Sequence, residues 1–337
     1  MIDYSRLGGS SDPSDSEAAR GKPAGNERAA DLIIVGIGDS GPDHYRAALG
    51  LAARMCRQRD TSITLVHGCL PRLSIATGDV AVERHLTRGR QLLQEAGLVL
   101  SSMVDPSTRI SFEAVPQTGV DALVQESQTA AALILQRRSS STLSRAFTGT
   151  TSHTVAAQAA CPVIIARHDQ SDIESRRGIV VGVAPRSGLR ALEVGVAEAV
   201  ARKCPLIAVY VWDLPFSPTY GGWIDPDEEE LAEATKWADS LLAKAVAQVA
   251  KLHPDVEFHA RTVRGVIEDG LLQECEHAEL LVVERHRDAH LASIGLGTLT
   301  RHLIDQALCP VMITPQSDAE GHPDGAGTTE TKITTKP

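Results

Sequence analysis

Residues Ala160–Ala166 read ACPVIIA, and residues Leu308–Thr314 read LCPVMIT. Ahead of each stands a glycine–hydroxyl stretch that runs into a helical pattern, FTGTTSHTV at Phe147–Val155 and GLGTLTRHL at Gly295–Leu303. One offset relates both pairs, since 309 − 161 and 297 − 149 each give 148. The same offset carries QESQTAAALILQ (Gln125–Gln136) onto QECEHAELLVVE (Gln273–Glu284). Nearer the start Gly36 matches Gly182 and Phe112 matches Phe258 at a slightly shorter spacing, as changes in loop length would produce. The chain reads as a tandem duplication.

Within each copy short apolar runs alternate with longer segments whose apolar residues recur at helical spacing. Strands are expected at Leu32–Ile37, Ile63–His67, Ile110–Val115, Ala132–Gln136 and Pro162–Ala166, then at Ile179–Val183, Leu206–Trp212, Val256–Val263, Leu280–Glu284 and Pro310–Thr314. LTRGRQLLQEAGLVL (Leu86–Leu100) and EEELAEATKWADSLLAKAVAQVA (Glu228–Ala250) read as helices. Alternation at these lengths implies right-handed βαβ crossovers and an open parallel sheet. The expected fold class is therefore α/β, two tandem doubly wound, Rossmann-like domains of five strands each with helices on both faces, over residues 31–169 and 177–316. VEFHART, the third run of the second copy, alternates polar and apolar residues and suits a less buried place in the sheet. Residues 1–30 and 317–337, rich in small and polar residues, are expected to be a disordered leader and tail.

The first strand and the turn after it read DLIIVGIGDSG (Asp31–Gly41), which contains Gly36-x-Gly38-x-x-Gly41. That spacing occurs in dinucleotide sites, where glycines let the backbone approach a pyrophosphate and an acidic residue after the second strand holds the ribose hydroxyls. Here the second strands end at His67 and at Trp212, with Asp213 the sole acidic candidate, and the repeat of the motif, IVVGVAPRSG, puts Ala184 and Pro185 where close approach is needed. The glycines are expected to serve a tight turn instead.

Composition narrows the partners. The 337 residues are 42% hydrophobic and 23% charged, as in soluble globular proteins, and the formal charge of −10 argues against nucleic acid and anionic membranes. No run of apolar residues is long enough to span a bilayer, and the first thirty residues lack the apolar centre of a secretory signal, so a cytoplasmic location is expected. The six cysteines form no C-x-x-C pair and read as small buried hydrophobes, with no metal site expected.

Strand–turn–helix copies of this length, each closing with a glycine–hydroxyl turn, a helix and a C-P-V strand, resemble the universal stress protein family, in particular its tandem-domain members; VYVWDLP at the second strand of copy two is similar to theirs. The resemblance spans almost everything between the two tails. It implies a five-stranded parallel sheet per domain, pairing of the domains along their last strands as a pseudo-dimer, and, in one branch, ATP across the carboxyl ends of the first and fourth strands. That branch carries G-x-x-G, nine residues, then G-[ST]-x-[ST]. In copy one the closing element falls on Gly149, Thr150 and Ser152, while the two earlier glycines are replaced by Gln136 and Ser139. In copy two it falls on Gly297, Thr298 and Thr300, and the glycines are replaced by Glu284 and Arg287. The branch's aspartate after the first strand corresponds to Gly38, with Asp39 one residue late, and to Ala184.

A glycine and hydroxyls at a helix start leave N–H groups free for an anion, although Ser or Thr there also simply caps a helix. Side chains at Gln136, Ser139, Glu284 and Arg287 would crowd the phosphates, so ATP or AMP is expected to bind weakly. RRSSSTLSR (Arg137–Arg145) reads as a solvated basic loop, with phosphate binding or phosphorylation as its functional alternative; His286 and His290 read as surface histidines, and His67 as structural. No nucleophile elbow, P-loop or H-E-x-x-H is present. These features favour a binding or regulatory module of stress response, able to pair with a second copy or a protein partner, over an enzyme. The rival is a nucleotide-dependent enzyme on the same fold, an ATP hydrolase or a dinucleotide oxidoreductase.

Overall fold

A computed structural model describes residues 32–39, 41–70, 79–137, 150–167, 176–184, 189–213, 228–285 and 296–316. The first copy contains β1 (Leu32–Gly36), a short 3-10 turn (Pro42–His44), α1 (Arg46–Gln58), β2 (Ser62–Leu70), α2 (Asp79–Ser101), β3 (Ile110–Thr118), α3 (Gly119–Glu126), β4 (Ala132–Gln136), α4 (Thr150–Gln158) and β5 (Val163–Ala166). The second contains β6 (Ile179–Gly182), α5 (Arg190–Arg202), β7 (Leu206–Trp212), α6 (Glu228–Ala250), β8 (Phe258–Arg264), α7 (Ile267–Glu274), β9 (Leu280–Glu284), α8 (Thr298–Gln306) and β10 (Val311–Thr314).

All ten strands join one sheet in the order β3-β2-β1-β4-β5-β10-β9-β6-β7-β8. Pairing within each copy is parallel, whereas β5 and β10 meet antiparallel, with Val311 opposite Ile165, Met312 opposite Ile164 and Ile313 opposite Val163. The inner strands β4, β5 and β10 are buried along their whole length, which explains their unbroken apolar runs. The third strand of each copy lies at an outer edge, and β8 there exposes His259, Ala260 and Arg261.

Alternation along β5 and β10 sends neighbouring side chains to opposite faces of the seam. Ile164 and Met312 join an apolar layer with α1, α2, α5 and α6, while Val163, Ile165, Val311 and Ile313 join the layer beneath α3, α4, α7 and α8. Each layer thus runs without a break through both copies. At the other end of copy one, β2 and β3 extend to Leu70 and Thr118, past the expected strand ends, because pairing continues beyond a register shift between Gly68 and Leu70. Gly68 permits this approach: a Cβ there would lie 2.5 Å from the backbone of Gly119. No described helix is long and apolar enough to cross a membrane.

Candidate functional site

In the second copy the strand order reverses at β6, which has β7 on one side and β9 on the other. Ligands of open parallel sheets bind outside the carboxyl ends of the strands at such a reversal, because the two flanking connections part there and leave a crevice. A cavity of about 360 Å³ occupies this place. Its apolar wall comes from Val209 and Val211 of β7, Ile267 and Leu271 of α7, and Val283 of β9. Gly182, Val183 and Ala184 form the turn leaving β6, and Tyr210, Glu284, Arg285, Thr298, Leu299 and Gln316 complete the lining.

The glycine at the floor has a packing cause that both copies share. A Cβ on Gly182 would lie 3.2 Å from Val283 and 3.3 Å from Leu271, and a Cβ on Gly36 would lie 2.4 Å from Leu135 and 3.1 Å from Leu123. Those neighbours are equivalent under the repeat, so the first glycine of the G-x-G-x-x-G stretch is required by the strand–helix contact, with no dinucleotide invoked. Gly41 adopts φ 79°, the left-handed region that a turn into the 3-10 segment demands. Asp213, the acidic candidate after β7, lies 3.8 Å from the Arg264 guanidinium.

Helix α8 opens on this cavity. Gly297 is its N-cap and has no side chain to cap it; Thr298 is the first helical residue and is exposed, and Thr300 is buried at 1% exposure. The expected hydroxyl cap is therefore not found at α8, since the residue in the cap position has no side chain. Thr298 reaches the cavity, whereas Thr300 is turned into the apolar layer.

The charges are unevenly disposed. Glu284 ends β9 and faces the cavity. Arg285 follows it but is 8% exposed, and its Nη1 donates to the carbonyls of Ala157 at 3.0 Å and Ala159 at 2.9 Å in the other copy. Arg301, the next cation along α8, folds back to donate to the carbonyl of Leu296 at 2.9 Å. Arg287 lies outside the described residues.

In the first copy Gln136 ends β4 and is buried, and its Oε1 accepts from the N–H groups of Ala47 at 2.9 Å and Ala48 at 3.3 Å. The side chain thus satisfies the first turn of α1, which packs against β4. Gly38 is half-buried and Asp39 is exposed in the same β1–α1 connection. His67 is buried; its Nδ1–H donates to the carbonyl of Ile37 at 2.8 Å, and its Nε2 lies 3.5 Å from Asp39 Oδ1. Ser152 is half-buried on α4. Gly149 and Ser139 lie outside the described residues, as does the side chain of Thr150. So do His286 and His290, and all of RRSSSTLSR except Arg137. That arginine is half-buried and donates to the carbonyls of Ile304 and Asp305 at the end of α8, a structural role where the sequence suggested a solvated loop.

Burial pushes the thiols of Cys69 and Cys204 up to about 11 and that of Cys161 up to about 12, so they remain protonated at neutral pH. Among the described residues no group of three or more His, Cys, Asp or Glu side chains is placed to hold a metal ion. Sequence reasoning missed the roles of Gln136, Arg137 and Arg285. The repeat itself pairs Arg137 with Arg285, and that was the available signal.

Residues 29–167 and 175–315 each match the universal stress protein family. A universal stress protein of Mycolicibacterium smegmatis (strain ATCC 700084 / mc(2)155) is 29% identical over 297 residues, covering 83% of this chain and 96% of that protein. One from Mycobacterium tuberculosis (strain ATCC 25618 / H37Rv) is 27% identical over 296 residues, covering 85% of this chain and 96% of its own length. The crystal structure of a universal stress protein from Archaeoglobus fulgidus DSM 4304 matches with a TM-score of 0.61 at 16% identity, over 86% of this chain and 98% of that one, a likeness of fold.

Proposed function

The chain belongs to the universal stress protein family as a tandem two-domain member, and from that premise we propose that it is a binding and regulatory module of the stress response whose working site is the copy-two cavity. The domains are taken as residues 31–169 and 177–316, acting in the cytoplasm. The observation that carries the reading is the position of the cavity, at the sheet's reversal and against an α8 start whose cap residue, Gly297, has no side chain. Helix N–H groups without a side-chain cap attract acceptors, and an apolar wall suits a flat base. Adenine nucleotides are the ligand class, bound weakly because Glu284 stands where the ATP-binding branch has a glycine and Ala184 where it has an aspartate.

Calorimetric titration of the full chain with ATP and AMP tests this. Dissociation constants on the order of 0.1–1 mM are expected. The Ala184→Trp variant, which fills the cavity from its exposed rim, should abolish the heat. No binding of any adenine compound, or binding indifferent to Ala184→Trp, would overturn the reading.

A further inference from the structure

We propose that Cys275 and Cys309 form an oxidisable dithiol, a modification site whose substrate class is a small hydroperoxide and whose product is an intramolecular disulfide. Cys275 closes α7 and Cys309 stands two residues before β10, yet their thiols meet, with the Cys309 S–H donating to the Cys275 sulfur. Both residues are buried, at 0% and 1% exposure, in the layer beneath α7 and α8. The cover is thin: Glu276 and His277, which follow Cys275, and Leu308, which precedes Cys309, are exposed. A short local opening therefore admits an oxidant close to water in size.

The repeat separates what the sulfur adds from what the fold needs. In copy one Ser127 stands at the place of Cys275, and Cys161 at that of Cys309. Ser127 Oγ donates to the Val124 carbonyl at 2.7 Å and accepts from the Ala160 N–H at 2.9 Å. Cys275 makes the same two bonds, donating to the Leu272 carbonyl at 3.3 Å and accepting from the Leu308 N–H. An oxygen thus meets the structural need, and the sulfur of copy two adds a second thiol beside Cys309. The Cys309 S–H, and after it the Leu308 N–H, hold the Cys275 thiol below its ordinary 9.0 against the opposing effect of burial, whereas the other five thiols are raised.

In the first step the Cys275 thiolate attacks a peroxide oxygen: an S–O bond forms, the O–O bond breaks, and the leaving oxygen takes up a proton as water or an alcohol. The Cys309 sulfur then attacks the sulfenic sulfur; an S–S bond forms, the S–O bond breaks, and hydroxide leaves with the Cys309 proton as water. The two thiols lose two electrons and the peroxide gains them. The disulfide ties the end of α7, which lines the cavity, to the entry of the seam strand β10.

Hydrogen peroxide, applied to the reduced full chain under native conditions and followed by alkylation and peptide mapping, tests this. Two of the six thiols should be lost, linked as Cys275 to Cys309 within one chain, and dithiothreitol should restore them. Cys56→Ser should leave the reaction unchanged, whereas Cys275→Ser, which reproduces the copy-one arrangement, should slow thiol loss at least about tenfold. Cys275 and Cys309 both remaining free in the folded chain, a disulfide to any other cysteine or between chains, or overoxidation of Cys275 without a link would overturn the inference. So would a folded Cys275→Ser chain that loses thiols at the wild-type rate. The wild-type map stands as a test even if neither variant folds.

Discussion

Arg137 and Arg285 occupy equivalent places in the two copies, and each donates its guanidinium to the carbonyls that end the last helix of the other copy. Arg285 reaches Ala157 and Ala159, and Arg137 reaches Ile304 and Asp305. The last carbonyls of a helix lack intrahelical partners and carry the negative end of its dipole, so a cation there is stabilising twice over. The pair of caps closes the β5–β10 seam symmetrically.

Removing either cap leaves partly buried carbonyls unpaired. Arg285→Ala should lower the unfolding free energy by about 1–3 kcal/mol and Arg137→Ala by somewhat less, because Arg285 is the more buried. Urea denaturation measures both, and losses within about 0.5 kcal/mol of zero would show that the caps are dispensable.

The seam should also govern association. Separated from its partner, residues 1–169 would expose the edge of β5, four apolar residues whose hydrogen-bonding groups then lack a neighbour. Because β5 meets β10 antiparallel, a second β5 can take the same place, and the isolated half should dimerise or aggregate. Light scattering that finds it monomeric and as soluble as the full chain would refute this.

A second cross-copy contact is ionic. Glu198 on α5 is 3% exposed and lies between Arg59 at 2.7 Å and Arg202 at 2.9 Å. Glu198→Ala leaves the Arg202 guanidinium, 1% exposed, without its main counter-charge and should cost about 3–5 kcal/mol. Arg59→Ala removes a side chain that is 33% exposed and should cost about 1 kcal/mol or less. Equal losses on thermal or chemical denaturation would contradict the assignment of the burial penalty to Arg202.

Nearby, burial lifts the carboxyl of Glu279 above its ordinary 4.5, with Arg202, Arg54 and Arg177 pulling it back only in part. A raised pKa means that the folded state penalises the ionised form. The penalty is complete above the folded pKa, shrinks as pH falls through it, and is gone below 4.5. Glu279→Gln should therefore stabilise at pH 7, and the advantage should vanish as the pH is lowered through that window. Denaturation curves at pH 7 and pH 4 that show the same difference would argue against it.

Two helical glycines should respond oppositely to alanine. A Cβ on Gly50 of α1 meets nothing within 4 Å, so Gly50→Ala should stabilise by about 0.5–1 kcal/mol through helix propensity. A Cβ on Gly97 of α2 would lie 2.4 Å from the Phe112 ring, so Gly97→Ala should destabilise by about 1–3 kcal/mol despite the same propensity gain. Melting temperatures that move together would show that α2 can shift to accept the methyl.

Much of the architecture was legible in the chain because its signals are local or periodic. Unbroken apolar runs mark β4, β5, β9 and β10, and the alternation in VEFHART marks an outer strand. The candidate site was legible only in part. Thr298 and Glu284 do face the cavity, but Thr300, picked by the same motif, is turned into the core. A motif records spacing along the chain, whereas the rotation of each residue about the helix axis decides which hydroxyl meets the ligand.

The sequence by itself determined the duplication, the alternation of strand and helix in each half, and the apolar edges that must meet, since each rests on the order of neighbouring residues and on the need to bury apolar surface. What only the tertiary structure decided is where the polar side chains at the strand ends are engaged. Gln136 finds its N–H donors 88 and 89 residues back, and Arg137 finds its carbonyls 167 and 168 residues ahead. Helix ends leave unpaired groups wherever the fold sets them down, and a partner contributed from across a sheet or a seam has no signature in the residues beside it.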